Sequence, residues 1–137
     1  MNCISFALNY LGRFARTELQ LRRYLQRKGF TTTEIAEAVA YLHEHQFLND
    51  DAYARGYIAS RILRLDGPLK IKHLLMQKGI AATDADKLLR DSYPVELQIE
   101  NAKKLSKKKT RTKQQLQRFI ASRGYSPYVI RALSKEK

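Results

Sequence analysis

A glycine that recurs three times with the same neighbours is the feature that most constrains the fold of this 137-residue chain. Gly29, Gly79 and Gly124 are separated by 50 and 45 residues. Apolar residues stand eight, five and four positions before each glycine, and a Lys or Arg stands directly before it. Apolar groups at these spacings share one helical face, so the repeat predicts three helices, each ended by a glycine in the left-handed conformation.

Each of these helices has a start signal twelve residues before its glycine. Thr17 and Thr112 are each followed by Gln three residues later, which is a capping-box pattern, whereas Gly67 is followed by Pro68 at a first-turn position. The three starts differ chemically but are equivalent in position. We therefore predict three middle helices of about 11 residues each.

A leading helix before each middle helix and a following helix after it are also predicted. The leading helices have apolar faces that begin at Ile4, Ala54 and Val95, and the following helices have apolar stripes that begin at Ile35, Ala85 and Val129. No segment shows the alternation of a strand. The predicted fold is all-α, with three tandem three-helix modules (residues 1–48, 49–93 and 94–137) stacked into an elongated, curved array.

The adjacent carboxylates Asp50 and Asp51 lie where the second leading helix should begin. Paired acids can support acid–base chemistry or bind a hard metal ion. Acids at a helix start more often act as caps and as partners of the helix dipole, and we interpret these two as caps.

Several classes of function find little support. The single cysteine, Cys3, has no partner for a disulfide or a thiolate metal site, which fits a reducing cytosol. His43 and His45 are two residues apart and point in different directions on a helix, so they cannot chelate one metal ion. Phosphate-binding loops, nucleophile elbows and apolar runs long enough to span a membrane are absent from the sequence. We expect a cytoplasmic protein that is not an enzyme, with no catalytic residue, metal or cofactor and no membrane contact.

The charge of the chain points to a polyanionic partner. Lys and Arg number 26 against 13 Asp and Glu, so the net charge is +13, and residues 94–137 carry 12 of the basic and 3 of the acidic side chains. The densest cluster, here called the basic run, comprises Lys103, Lys104, Lys107, Lys108, Lys109, Arg111 and Lys113. A solvated helix face joined to a linker is the alternative interpretation of this run.

A helix, a short glycine-containing turn and a second helix also describe a DNA-reading helix-turn-helix. The charges lie on the wrong helix for that function, because the helix after the first glycine carries Glu34 and Glu37 and the helix after the second carries Asp84 and Asp86. The basic residues lie on the preceding middle helices. Stacked modules would align them into a stripe that suits a long, regular, negatively charged partner, although they are also consistent with ordinary solvated positions.

The chain resembles the RecX regulatory proteins, which are bacterial modulators of the RecA recombinase. The resemblance extends from about residue 4 to residue 133 and rests on the order and spacing of several short motifs. These are Tyr-Leu-Gly-Arg at 10–13, Arg-Thr-Glu-Leu at 16–19, Leu-Gln-Arg-Lys-Gly-Phe at 25–30, Leu-Asn-Asp-Asp-Ala-Tyr-Ala at 48–54, Tyr-Ile at 57–58, and Gly-Pro at 67–68 with Lys-Gly-Ile at 78–80.

The resemblance implies tandem three-helix repeats and a protein that binds the RecA filament on single-stranded DNA and restrains recombination. We expect this protein to be a monomer that binds DNA directly only weakly. Together with the charge, it indicates contacts to RecA and DNA through basic side chains of the middle helices and of the basic run. Outside that run, these candidates are Arg16, Arg22, Arg23, Arg27, Lys70, Lys72 and Arg118. A DNA-binding protein that acts without RecA and a protein adaptor that does not touch nucleic acid are the alternatives.

Overall fold

The computed structural model describes residues 2–13, 15–107 and 112–135, and their regular secondary structure is entirely α-helical. The helices, in chain order, are α1 (Cys3–Arg13), α2 (Glu18–Arg27), α3 (Thr32–Glu44), α4 (Asp50–Leu63), α5 (Pro68–Gln77), α6 (Ala82–Ser92), α7 (Val95–Ser106), α8 (Lys113–Ser122) and α9 (Pro127–Lys135). The predicted all-α class is confirmed. The chain forms two compact units, one of residues 1–54 with 77–80 and the other of residues 55–76 with 81–137. The division into three modules stays a prediction.

Each unit has its own apolar core. In the first unit, α1, α2 and α3 enclose the buried side chains of Cys3, Ala7, Leu21, Leu25, Ile35, Ala38, Val39, Leu42 and Leu48. The small residues Cys3 and Ala7 are the most deeply buried of α1, whereas Ile4, Leu8 and Leu11, expected on its inner face, are only partly buried. In the second unit, the largest fully buried apolar side chains are those of Tyr93, Tyr125, Ile58, Ile71, Leu75, Ile120 and Val129.

Local capping fixes the helix ends. Thr17, Thr31 and Thr112 each accept a hydrogen bond from the backbone N–H three residues later, and the Gln or Glu at that position closes a capping box. Gly29, Gly79 and Gly124 follow the C-caps of α2, α5 and α8 with φ of 92°, 97° and 96°.

The start of α4 corrects one sequence-based interpretation. The side-chain cap is Asn49, whose Oδ1 accepts from the Ala52 N–H at 3.0 Å, and Asp50 and Asp51 lie inside the first turn. Asp50 instead accepts a hydrogen bond from the Glu18 backbone N–H at the start of α2, at 2.9 Å. Asn49 occupies the position directly before the helix, from which a side chain can accept a hydrogen bond from an N–H of the first turn. The Asp50 side chain is therefore available to accept a hydrogen bond from α2.

In the first unit, the start of α2 packs directly on the turn that contains Gly79. The buried Thr17 hydroxyl donates to the Lys78 carbonyl at 2.5 Å. A Cβ built on Gly79 would lie 2.5 Å from the Cβ of Leu19, which is closer than any side chain allows. The position therefore needs glycine for space as well as for its positive φ.

The second unit repeats this arrangement at the start of α5. The N–H groups of Gly67 and Leu69 donate to the carbonyls of Arg123 and Gly124 at 2.7 and 2.9 Å, so backbone replaces the missing side-chain cap. A Cβ built on Gly124 would lie 2.5 Å from the Cβ of Lys70. Each unit therefore contains one contact in which a glycine turn packs against the start of a helix.

A buried carboxylate fixes the turn between α4 and α5. Asp66 is 1% exposed and lies among three cations: the Nε of Arg61 at 2.5 Å, the Nζ of Lys70 at 3.2 Å and an Nη of Arg123 at 3.1 Å. The cations keep part of their surface in water, so they offset the desolvation of Asp66 without being fully desolvated themselves.

Two buried tyrosines complete this turn. The Tyr93 hydroxyl donates to the Asp66 carbonyl at 2.8 Å, and the Tyr125 hydroxyl donates to the Leu65 carbonyl at 2.7 Å. Leu65 has φ of 65°, an unfavourable conformation for a residue with a side chain, and these bonds help to hold it. Burial raises the pKa of both hydroxyls, which keeps them neutral and able to donate.

The glycine contacts predict an unequal response to the same substitution. Gly29 and Gly79 have similar positive φ, but a Cβ at Gly29 meets no atom within 4 Å. Gly29→Ala should therefore lower the free energy of unfolding by the backbone strain alone, about 1 kcal/mol. Gly79→Ala should lower it by about 1 to 3 kcal/mol more, because Leu19 must move. Urea denaturation measures both values, and equal losses would contradict the close contact.

The buried carboxylate predicts a second difference in stability. Asp66→Asn leaves three cations around a neutral side chain and should lower the free energy of unfolding by about 3 kcal/mol. Asp86→Asn is the matched control, because Asp86 is 45% exposed and pairs with Lys72 only 2.9 Å away at the surface, so it should change stability by less than about 1 kcal/mol. Thermal denaturation followed by circular dichroism compares them, and similar melting temperatures would refute the assignment.

Candidate functional site

The basic side chains of α2, one of the predicted contact helices, separate into paired and exposed groups. Arg22 contacts the Glu18 carboxylate at 2.9 Å, and the Nε2 of His43 lies 2.7 Å from the other oxygen of that carboxylate. The hydrogen bond from His43, followed by that from Arg22, lowers the pKa of Glu18. Arg23 and Arg27, by contrast, are exposed. The charge that α2 offers to a partner therefore comes more from Arg23 and Arg27 than from Arg22.

The predicted contacts on α5 are engaged within the second unit. Lys70 contributes to the cation cluster around Asp66. Lys72 is 31% exposed and forms an ion pair with Asp86 of α6 at 2.9 Å. A partner that recruited either lysine would have to compete with a carboxylate already in contact.

The C-terminal third offers the most accessible positive charge. Lys107 follows α7 and is exposed, as are Lys113 and Arg118 of α8. Lys104 is exposed and lies 3.8 Å from Glu100, a separation that contributes little in water, and Lys103 is partly buried. Lys108, Lys109 and Arg111 lie outside the described residues.

An aromatic and cationic stack in the first unit was missed by the sequence analysis. The rings of Tyr10 and Tyr24 stack with centroids 4.1 Å apart and planes 12° apart. The Arg16 guanidinium lies 5.3 Å from the Tyr10 centroid, and the Lys28 ammonium lies 5.6 Å from the Tyr24 centroid. We call these four residues the cation–tyrosine column. The sequence signal for this column is Tyr24, five residues before Gly29, which the repeat pattern assigned to an apolar helix face.

The described part of the chain contains no group of three His, Cys, Asp or Glu side chains close enough to hold a metal ion. The two histidines of α3 and its C-cap have other partners: His43 contacts Glu18, and His45 stacks on Tyr41 with centroids 4.1 Å apart. Burial raises the pKa of the Cys3 thiol. Among the described helices, none combines the length and the apolar character that crossing a membrane requires.

Comparison with known proteins agrees with this architecture. The family model "RecX, first three-helix domain" matches residues 3–42, and "RecX, second three-helix domain" matches residues 49–89. A Regulatory protein RecX of Clostridium botulinum (strain Alaska E43) is 31% identical over 99% of this chain and 68% of its own length. One from Clostridium perfringens (strain 13) is 36% identical over 91% of this chain and 63% of its own length. The chain thus spans about two thirds of the length of these curated relatives.

Solved structures show the same fold. The crystal structure of RecX from Lactobacillus salivarius is similar with a TM-score of 0.90 at 25% identity, covering 98% of this chain and 93% of that one. A second crystal structure, of a regulatory protein RecX, is similar with a TM-score of 0.86 at 28% identity and covers 98% of this chain. With two matched family domains and relatives that align along nearly all of its length, the chain belongs to the RecX family of regulatory proteins.

Proposed function

We propose that this protein is a negative regulator of RecA-mediated homologous recombination. It binds along the RecA filament on single-stranded DNA and inhibits filament growth, ATP hydrolysis and strand exchange. The observation that carries the proposal is the match to RecX regulatory proteins over nearly the whole chain. The protein acts as a cytoplasmic monomer with no active site of its own.

The distribution of charge supports a filament as the partner. A filament presents phosphate and acidic protein surface at regular intervals, and positive charge steers encounters with such a polyanion. Exposed cations on α2, after α7 and on α8 are the groups best placed for this contact. Three modules, residues 1–48, 49–93 and 94–137, would allow one molecule to contact neighbouring RecA protomers.

A DNA-binding protein that acts without RecA is the second candidate. The charge of residues 94–137 favours it, because 12 basic against 3 acidic side chains are enough to bind phosphate unaided. Such a protein would bind naked DNA tightly, with an affinity that falls steeply as salt increases.

The first experiment follows ATP hydrolysis by RecA on single-stranded DNA as this protein is added well below one molecule per RecA. A parallel titration measures binding to the same DNA without RecA. We expect strong inhibition at doses at which naked DNA remains mostly unbound, because a growing filament is blocked at few sites. Inhibition only when the protein coats the DNA would favour the second candidate instead.

Charge reversal tests which surface is used. The triple variant Arg23→Glu, Lys107→Glu and Arg118→Glu changes three exposed cations and should raise the concentration needed for half-inhibition at least about tenfold at low salt. The matched control reverses Arg13, Lys87 and Arg90, which are also exposed and change the net charge equally. Inhibition that falls equally for both variants would indicate a response to net charge alone and would remove the proposed surface.

A further inference from the structure

The cation–tyrosine column in the first unit is built on rigid supports. Tyr10 belongs to α1 and Tyr24 to α2, and both rings pack against the buried core of that unit. Phe6 and Phe30 form a second aromatic pair against the same core, with centroids 5.3 Å apart. Because the stacked rings lie on two packed helices, their faces are held in place before any ligand arrives.

The two ends of the column differ in accessibility. Arg16 is partly buried beside Tyr10. Lys28 follows the last turn of α2 and is exposed. Tyr10 stacks on one face of Tyr24, so we assign the Lys28 ammonium, 5.6 Å from the Tyr24 centroid, to the other face. The long, solvated Lys28 side chain can move off that face with little loss of free energy. The face of Tyr24 is therefore the part of the column that can become accessible to a ligand.

The interaction free energies of possible ligands indicate which group could replace the Lys28 ammonium over the Tyr24 ring. An exposed cation over an aromatic face contributes about 0.5 to 1 kcal/mol. A nucleobase stacked on an aromatic side chain contributes about 1 to 3 kcal/mol. A base therefore outcompetes the ammonium for the face of Tyr24, and the displaced ammonium becomes available to a phosphate of the same strand.

We propose that the Tyr24 end of the cation–tyrosine column is a binding site for single-stranded nucleic acid, in which a nucleobase stacks on Tyr24 in place of Lys28 and Lys28 pairs with the adjacent phosphate. Arg23 and Arg27, both exposed on α2, extend the positive charge beside the site. A duplex is a poor ligand, because its bases are already stacked on each other. The proposal deepens the second candidate function, direct binding of nucleic acid without RecA, because it names the residues and the ligand chemistry of such a site.

The test measures binding of the full chain to a fluorescein-labelled 15-nucleotide oligo(dT) by anisotropy, without RecA. Tyr24→Leu keeps an apolar side chain but removes the aromatic face, and it should raise Kd about 5- to 150-fold. Tyr41→Leu is the matched control, because Tyr41 is also a stacked, partly buried tyrosine of the first unit. It should leave Kd unchanged. Tyr24→Phe should also bind as the parent does, which gives a second measurement if Tyr24→Leu is unstable.

Two further ligands separate base stacking from charge. An oligonucleotide of the same length made of abasic sites has the phosphates without the bases, so Tyr24→Leu and the parent should bind it equally. Oligo(rU) distinguishes the two natural sources of a single strand: equal affinity indicates a site for either nucleic acid, and a preference identifies the ligand. Lys28→Ala should reduce the slope of log Kd against log salt by about 0.7, as expected for one lost phosphate contact on a single strand.

Unchanged oligo(dT) binding by Tyr24→Leu, or an equal loss on the abasic strand, would overturn the proposal. An equal loss in Tyr41→Leu would also overturn it, because the effect would then reflect the stability of the unit. These outcomes are independent of the RecA assay. Failure to inhibit RecA leaves the binding measurement intact, and failure of this site leaves inhibition through the exposed cations of α8 intact.

Discussion

Both compact units depend on one kind of contact, in which the start of a helix packs closely against a glycine turn. Glycine is required at Gly79 and Gly124 because the first turns of α2 and α5 lie where a side chain would have to be. In the second unit, backbone carbonyls of the glycine turn accept hydrogen bonds from N–H groups at the start of α5. In the first unit, Thr17 caps α2 and its hydroxyl also donates to the Lys78 carbonyl of the turn. Gly29 shares the backbone conformation but not the contact, so conformation and space are separate requirements.

Internal ion pairs determine how much of the net charge is available to a partner. Asp66, Asp86 and Glu18 hold cations that the sequence alone would assign to an open basic surface. These contacts have a structural role, since Asp66 holds a turn whose leucine has a positive φ. Among the predicted contact residues, the accessible positive charge therefore lies on Arg23 and Arg27 of α2 and in the C-terminal third of the chain.

Aromatic stacking distinguishes the surface of the first unit from that of the C-terminal third. Residues 94–137 are strongly basic, which favours any phosphate backbone regardless of sequence. The first unit combines cations with stacked rings, and a ring face interacts with bases rather than with phosphate. The ring faces of the first unit and the basic side chains of the C-terminal third therefore lie on different helices.

The helices, their glycine ends and their threonine caps were predictable from the sequence, because each depends on residues within four positions of one another and on a pattern repeated three times. Family membership was predictable for the same reason, from short motifs in a fixed order. The cap of α4 was assigned to Asp50 and Asp51, but it is Asn49. All three residues at 49–51 are capable of capping a helix, and only the path of the backbone selects one of them. Asp50 contacts α2 across 32 residues of chain, which no local pattern indicates.

Only the tertiary structure decided which charges are engaged and which aromatic rings meet. Asp66 contacts Arg123 across 57 residues, and Tyr10 and Tyr24 stack although one lies on α1 and the other on α2. Such pairs depend on how helices pack, whereas caps and helix ends depend on the local backbone. The sequence by itself determined an all-α repeat with a basic surface, since hydrophobic period and glycine placement specify helices directly. The positions of the exposed cations and of the stacked tyrosines followed from packing, because packing decides which side chains find partners inside the fold.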